Sequence, residues 1–148
     1  KPRKALNAYI ASRTWFLRCP ELAHLQMKTA SGLIAVLWME SFERALWALI
    51  ANAWSELRDK YGKDAVPLKG FLTIACPLLG ITSPDKYFAK FGWSLVYDPE
   101  GKPMLARTSV PTRESFGPKA FTTTYSAKDL VKHCHDIGFV PDLIAPRN

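Results

Sequence analysis

Near the amino terminus, in the sequence KPRKALNAYIASR, an amide, an aromatic ring and a β-branched side chain follow a run of cations. The side chain of Asn7 can donate and accept hydrogen bonds, which matches the polar edges of base pairs in the minor groove. Ile10 is stiff about χ1 and would lose little entropy if it were inserted between stacked base pairs. These residue types favour a segment that enters a nucleic-acid groove. In an ordinary helix, Asn7 would instead be an N-cap, Tyr9 a boundary aromatic and Ile10 a core residue.

Positive charge is concentrated in the same part of the chain. The formal net charge of the whole sequence is +7, and residues 1–28 carry six cations and a single acid. A concentrated basic segment is what a phosphate backbone attracts, although many soluble proteins are equally basic overall. An anionic membrane surface is the other obvious partner, but the basic residues do not gather on one helix with an apolar face. We therefore expect no membrane partner.

The composition is that of a soluble domain with a substantial core. Hydrophobic residues make up 48% and aromatic residues 12% of the 148-residue chain. Cys19, Cys76 and Cys134 are far apart in sequence, which predicts buried free thiols in a reducing compartment and no disulfide framework. Apolar runs are too short to span a bilayer, for which about 20 residues are needed.

The sequence contains no pattern typical of catalysis. We find no glycine-rich phosphate loop, no nucleophile elbow and no convincing acid–base pair. The sequence His133-Cys134-His135 places adjacent side chains in diverging directions on a helix, and no second pair of possible ligands accompanies it. We predict no enzyme activity, no small-molecule substrate, no cofactor and no metal ion.

Helical periodicity and capping signals predict the elements that would position these residues. A first helix starts near Leu6 to Ala8 and ends before Pro20, and a third begins behind the N-cap candidate Ser41 and ends at Gly62. The other predicted elements are helices over about 28–39, 68–79, 84–91 and 127–136, and a hairpin with strands 93–97 and 104–108 around the turn DPEGK.

Three stretches carry a family resemblance: KALNAYIASRTWF, SGLIAVLWMESFERALWALIANAWSELRD and LKGFLTIACPLLGITSPDKYFAKFGWSLV. The first resembles the RPxNAFI start of an HMG box, and together they resemble the alpha-box of fungal mating-type α1 proteins over roughly residues 1–110. The resemblance implies a mostly α fold with an L-shaped three-helix HMG-box-like core and a helical and β-hairpin C-terminal extension. It divides the chain into a DNA-binding core (1–62), an alpha-box-specific extension packed on it (63–110), and a loop with a C-terminal helix (111–148).

The resemblance also implies roles for individual residues. Ile10 matches the wedge that intercalates between base pairs, Tyr9 its aromatic support, and Asn7 the side chain that bonds base edges beside the opened step. Ser31 matches a minor-groove contact from the second helix, with Lys28 at its approach. The remaining implied DNA-binding residues are cations that bind phosphates or reach into the groove: Arg3, Lys4 and Arg13.

The implied function is that of a nuclear mating-type transcription factor that binds double-stranded DNA sequence-specifically in the minor groove and bends it, together with a MADS-box partner. HMG boxes are among the known minor-groove architectural binders, so this mechanism follows from the class. Asn7 at its position leans toward boxes that prefer particular sequences. Two alternatives remain: a helical protein-interaction module for an acidic partner, and a non-specific architectural HMG-type binder.

Two further expectations concern positions where the pattern is less complete. Ala30 aligns with the place where some boxes carry a second wedge, and its methyl group is too small for that purpose, so we predict one intercalation site.

The extension is rich in aromatic and aliphatic residues, which favours packing on the helices. Its cations offer an alternative, a second DNA-contacting surface through Lys69, Lys86, Lys90, Lys102 and Arg107.

Overall fold

The computed structural model describes residues 4–141, which form a mostly helical fold with one small antiparallel hairpin. The helices and strands run in the order α1 (Ala8–Phe16), α2 (Met27–Met39), α3 (Arg44–Tyr61), α4 (Leu68–Leu79), α5 (Pro84–Phe91), β1 (Trp93–Tyr97), β2 (Pro103–Arg107) and α6 (Ala127–Asp136), with short 3-10 turns at Pro20–Leu22 and Arg113–Phe116. This confirms the predicted mostly helical architecture with a helical and hairpin extension. The L shape of the first three helices stays a prediction.

The hairpin begins where a glycine ends α5. Gly92 adopts a left-handed conformation with φ of 72°, and a Cβ atom at this position would lie 2.3 Å from Oγ of Ser109. The backbone N–H of Thr108 donates to the carbonyl oxygen of Gly92 at 2.7 Å. Strand β2 pairs with β1 from Pro103 to Arg107, so it starts one residue before the predicted boundary.

The start of α3 differs from the prediction. The helix begins at Arg44, and the hydroxyl of Ser41 accepts a hydrogen bond from the backbone N–H of Glu43 at 3.0 Å, before the helix. Glu43 is fully buried, and its Oε2 accepts hydrogen bonds from the backbone N–H of Thr82 at 3.2 Å and from the Thr82 hydroxyl at 3.3 Å. This tertiary contact, which links the start of α3 to the α4–α5 loop, fixes the helix start in place of a local cap. Burial raises the pKa of Glu43 to about 7.

One cluster of buried apolar side chains runs through all six helices. Trp15, Trp47 and Trp54 belong to it, whereas Trp38 is half-buried at its edge. Trp15 donates to the Thr82 carbonyl at 3.0 Å and Trp54 to that of Val66 at 2.9 Å, so these two buried indoles are satisfied. Because one core serves the whole described chain, the predicted divisions at residues 62 and 110 stay predictions.

The three cysteines are free and buried, as predicted. Burial raises the pKa of Cys19 to about 12 and that of Cys134 to about 11, so both thiols stay protonated near neutral pH. Within residues 4–141, no helix combines the length and the apolar character needed to cross a bilayer.

Candidate nucleic-acid interface

Asn7 caps the first helix. Its Oδ1 accepts a hydrogen bond from the backbone N–H of Tyr9 at 2.7 Å, which explains why α1 begins at Ala8. The side chain is exposed, and its Nδ2 group donates to no residue that the structure describes. The cap therefore occupies one acceptor position of the amide and leaves its donors available to a ligand.

Tyr9 and Arg13, one turn apart on α1, both contact Ser31 of α2. The Tyr9 hydroxyl donates to the backbone oxygen of Ser31, and Nη1 of Arg13 donates to the Ser31 hydroxyl, both at 3.4 Å. The Tyr9 ring meets Trp38 edge to face, with 5.8 Å between the ring centres. Three of the predicted DNA-binding residues thus form one cluster that joins α1 to α2.

Ile10 follows the aromatic residue of this cluster and lies at the edge of the fold. Its side chain is half-buried, and among residues 4–141 it belongs neither to the buried core nor to the partly buried side chains packed against it. The next residue, Ala11, is fully buried, because successive positions on α1 are about 100° apart around the helix. Ile10 is therefore available to a ligand, while its role as a wedge stays a prediction.

The basic segment before α1 is fixed along α3. The backbone N–H of Leu6 donates to the Ser55 hydroxyl at 2.8 Å, and Nη2 of Arg58 donates to the carbonyl oxygen of Lys4 at 2.9 Å. The side chain of Lys4 is exposed. Arg3, which was also predicted to bind DNA, lies outside the described residues. Ser55 and Arg58 position this segment. Neither residue is predicted from the sequence, because each is about fifty residues away from its partner and no local pattern marks such a contact.

Ala30 cannot reach a groove, because it is only 2% exposed and lies on the core face of α2 with Ile34 and Leu37. The exposed apolar side chain in this first turn of α2 is Met27, at 61%. The burial of Ala30 could be predicted from the sequence, since Ala30, Ile34 and Leu37 are spaced so that they share one side of a helix. The prediction of a single intercalation site remains open to experiment.

Lys28 lies beside a cation of the hairpin. A cavity of about 380 Å³ separates α2 from the start of β2 and has Lys28 and Lys102 in its walls. Both lysines are exposed. The remaining residues that line this α2–β2 groove are Thr29, Gly32, Leu33 and Pro103.

Two of the other extension cations are engaged within the protein. The guanidinium of Arg107 lies 3.7 Å from the ring centre of Trp93 and forms an ion pair of 3.4 Å with Glu40, just after α2. The ammonium group of Lys90 lies over Phe91 and Phe116, 5.6 and 5.7 Å from their ring centres. Lys69 and Lys86 are exposed. Side chains of the extension share the core of the helices, and a second DNA-contacting surface through its exposed lysines stays a prediction.

Comparison with known proteins yields one family. The profile described as "Mating-type protein MAT alpha 1 HMG-box" matches residues 1–146. The chain is similar to the "Mating-type protein MAT-1" of Alternaria alternata, with 32% identity over all of the chain and 38% of the relative. It is also similar to the MAT-1 proteins of Cochliobolus ellisii, with 37% identity over 95% of the chain and 37% of the relative, and of Fusarium oxysporum, with 42% identity over 63% of the chain and 26% of the relative. The chain spans about two fifths of the length of the first two relatives. No solved structure matches it.

Proposed function

This chain belongs to the mating-type protein MAT alpha 1 HMG-box family, and we propose that it is the region of a mating-type transcription factor that binds and bends double-stranded DNA. In this proposal α1 and α2 face the minor groove, and the protein acts in the nucleus without catalysing a reaction. The proposal concerns DNA binding, because the chain covers only part of the length of its relatives.

The observation that carries the proposal is the arrangement around Tyr9. A half-buried aliphatic side chain, Ile10, and an exposed amide, Asn7, flank a tyrosine that the contacts with Ser31 and Trp38 hold in place. A preformed support of this kind reduces the entropy lost on binding. The apolar group of Ile10 can then replace the stacking contacts that are lost when a base step opens.

The cations around this apolar group supply the affinity. Lys4, before α1, and Lys28, in the first turn of α2, are exposed, and the backbone of the segment that carries Lys4 is fixed to α3. Cations that neutralise phosphates release counterions, so binding weakens steeply as salt increases. Arg13 is held at Ser31 by a long hydrogen bond and can bind either a phosphate or the edge of the groove.

Selection of bound duplexes from a random pool tests the proposal. The chain is incubated with a pool of random-sequence DNA, bound duplexes are recovered, and the affinity for the selected sequence is measured over a range of salt concentrations. We expect one sequence pattern to be enriched, its affinity to fall steeply with salt, and the bound duplex to be bent. Equal recovery of all sequences with bending would instead indicate a non-specific architectural binder.

A second function, recognition of a protein partner, is favoured by the outer face of the hairpin. Val96 and Met104 are directly paired across the two strands and are 40% and 46% exposed. An exposed apolar cross-strand pair is a feature of protein contact sites. The MADS-box partner implied by the resemblance would bind a surface of this kind, and loss of its co-binding in a Val96→Ser variant that still binds DNA would support that partnership.

A further inference from the structure

The hairpin is held along α2 at both of its ends. At one end, a hydrogen bond of 2.8 Å joins the Tyr97 hydroxyl to Nε2 of His24, just before α2. At the other end, Arg107 pairs with Glu40, just after α2. Strand β2 therefore runs alongside α2, and Lys102 stands at the amino-terminal half of that helix.

The turn of the hairpin is fixed by one carboxylate. Oδ1 of Asp98 accepts hydrogen bonds from the backbone N–H groups of Glu100 at 2.9 Å and Lys102 at 2.8 Å. The N–H of Asp98 also donates to the carbonyl oxygen of Lys102 at 2.9 Å. The backbone of Lys102 is thus held in position before any ligand binds, while its side chain remains exposed.

Gly32 lies in the lining of the groove, and neither backbone conformation nor packing accounts for it. It occupies the middle of α2, where glycine destabilises a helix relative to alanine. A Cβ atom at this position would meet no described atom within 4 Å, so no neighbouring element requires the absence of a side chain. The absent side chain leaves the backbone of α2 accessible between two lysines, as is typical where a ligand approaches a helix closely.

We propose that the α2–β2 groove binds a phosphodiester of the same duplex that α1 and α2 hold by its minor groove. This inference rests on the proposed function. Lys28 and Lys102 supply positive charge from the two walls, Thr29 supplies a hydroxyl, and Leu33 and Pro103 offer apolar contact to a deoxyribose. The charge of the groove favours the DNA backbone, and the hairpin extends the DNA contact surface beyond the three-helix core.

The test compares variants of the whole chain on a duplex selected from the random pool. Lys102→Gln removes one wall charge, and Lys119→Gln, in the turn before α6, is the matched control, because it removes the same charge from an exposed lysine outside the groove. We expect Lys102→Gln to weaken binding roughly three- to tenfold on all sequences and to reduce the slope of log K against log salt by about one. Lys119→Gln should leave that slope closer to the wild-type value.

Gly32→Ala is an independent test, because it should change stability and DNA affinity in opposite directions. The added methyl group should raise the melting temperature, because alanine favours the helix, and it should weaken DNA binding, because the group projects into the groove. A purely structural role for Gly32 would move stability and affinity in the same direction or leave affinity unchanged. Tighter or unchanged DNA binding by Gly32→Ala would overturn the proposal.

The outcomes separate this inference from the proposed function. If Lys102→Gln binds like the wild type while Ile10→Ala still loses the bend, the groove proposal is wrong and the minor-groove function stands. If the wild-type chain neither selects nor bends DNA, both are wrong. Polyglutamate serves as a probe for an acidic protein chain. If Lys102→Gln leaves duplex binding unchanged but weakens binding to polyglutamate, the groove binds an acidic protein chain, and the phosphodiester proposal is again wrong.

Discussion

The hydroxyl of Ser55, in the middle of α3, accepts a hydrogen bond from the backbone N–H of Leu6 at 2.8 Å. The same hydroxyl donates to the carbonyl oxygen of Ala51 at 2.8 Å, so it bridges its own helix and the amino-terminal segment. This contact, with the hydrogen bond from Arg58 to Lys4, positions the backbone of the Lys4–Leu6 segment before α1.

Replacing Ser55 with alanine is expected to release the amino-terminal segment. The N–H of Leu6 would lose its partner, and the segment would have to be ordered again when DNA binds, at a cost of about 1 kcal/mol or a fewfold in affinity. Titration of the selected duplex measures this change. Thr73→Ala, which removes an exposed hydroxyl bonded within α4, is the control and should bind normally. Equal affinities for the two variants would show that the segment is not ordered by Ser55.

The Ile10→Ala variant should reduce the DNA bend more than the affinity for non-specific DNA. The methyl group of alanine is too short to keep a base step open, whereas the cations that bind phosphates are unchanged. Because Ile10 lies at the edge of the core, the melting temperature should change little. The bend is measured by energy transfer between dyes at the two ends of a duplex. Ile10→Leu keeps the bulk and should retain the bend, and an unchanged bend in Ile10→Ala would remove the wedge from the proposed function.

Stability should depend on the protonation of Glu43. Its pKa of about 7 lies above the ordinary value of 4.5 for an exposed glutamate, so the folded protein binds the proton more tightly than the unfolded chain does. The stabilisation is therefore full below about pH 4.5 and is lost as the pH rises toward 7. Its total is about 3 kcal/mol, from about 1.4 kcal/mol per pKa unit.

Urea unfolding at a series of pH values tests this dependence. The difference in unfolding free energy between the wild type and Glu43→Gln should change between pH 4.5 and 7 and stay constant above pH 8. Thr73→Ala, which changes no titratable group, is the control, and its difference from the wild type should stay constant over the same range. Parallel pH curves for the wild type and Glu43→Gln would contradict the assignment.

Two glycines with the same backbone requirement separate strain from close packing. Gly92 and Gly101 have φ values of 72° and 83°, but only at Gly92 would a Cβ meet a neighbour, Oγ of Ser109 at 2.3 Å. Alanine at either position costs about 1 kcal/mol for the left-handed conformation. Gly92→Ala should lose at least about 2 kcal/mol more, because the clash includes the Ser109 backbone. Similar unfolding free energies for the two variants would show that the hairpin moves away easily.

The elements that local signals define could be predicted from the sequence. Helix α6 covers the predicted range 127–136 and starts at a capping box between Ser126 and Asp129, and α5 covers the predicted range 84–91, from Pro84 to the residue before Gly92. The start of α3 was missed at Ser41, because the contact that fixes it joins Glu43 to Thr82, 39 residues away. The residues around Ser41 carry no signal for a partner that is 39 residues away.

The candidate site was predictable to a different degree. Asn7, Tyr9 and Ile10 were found because they are neighbours in one short segment that also carries the family resemblance. The α2–β2 groove was not found, since Lys28 and Lys102 come together only after the hairpin packs along α2. The hydrogen bond between His24 and Tyr97 that helps to fix this packing spans 73 residues. Residue type indicated that each lysine could bind phosphate, and only the fold places them in one groove.

Helix α3 supports both ends of the described chain. One side of it holds the Lys4–Leu6 segment through Ser55 and Arg58, and α6 packs along the same helix, with Lys128 close to Glu56 and His135 beside Tyr61. Helix α6 thus supports the same helix to which the Lys4–Leu6 segment is hydrogen-bonded. Variants in α6 that weaken its packing on α3 should therefore lower the affinity for DNA, although none of them changes a residue of the α2–β2 groove.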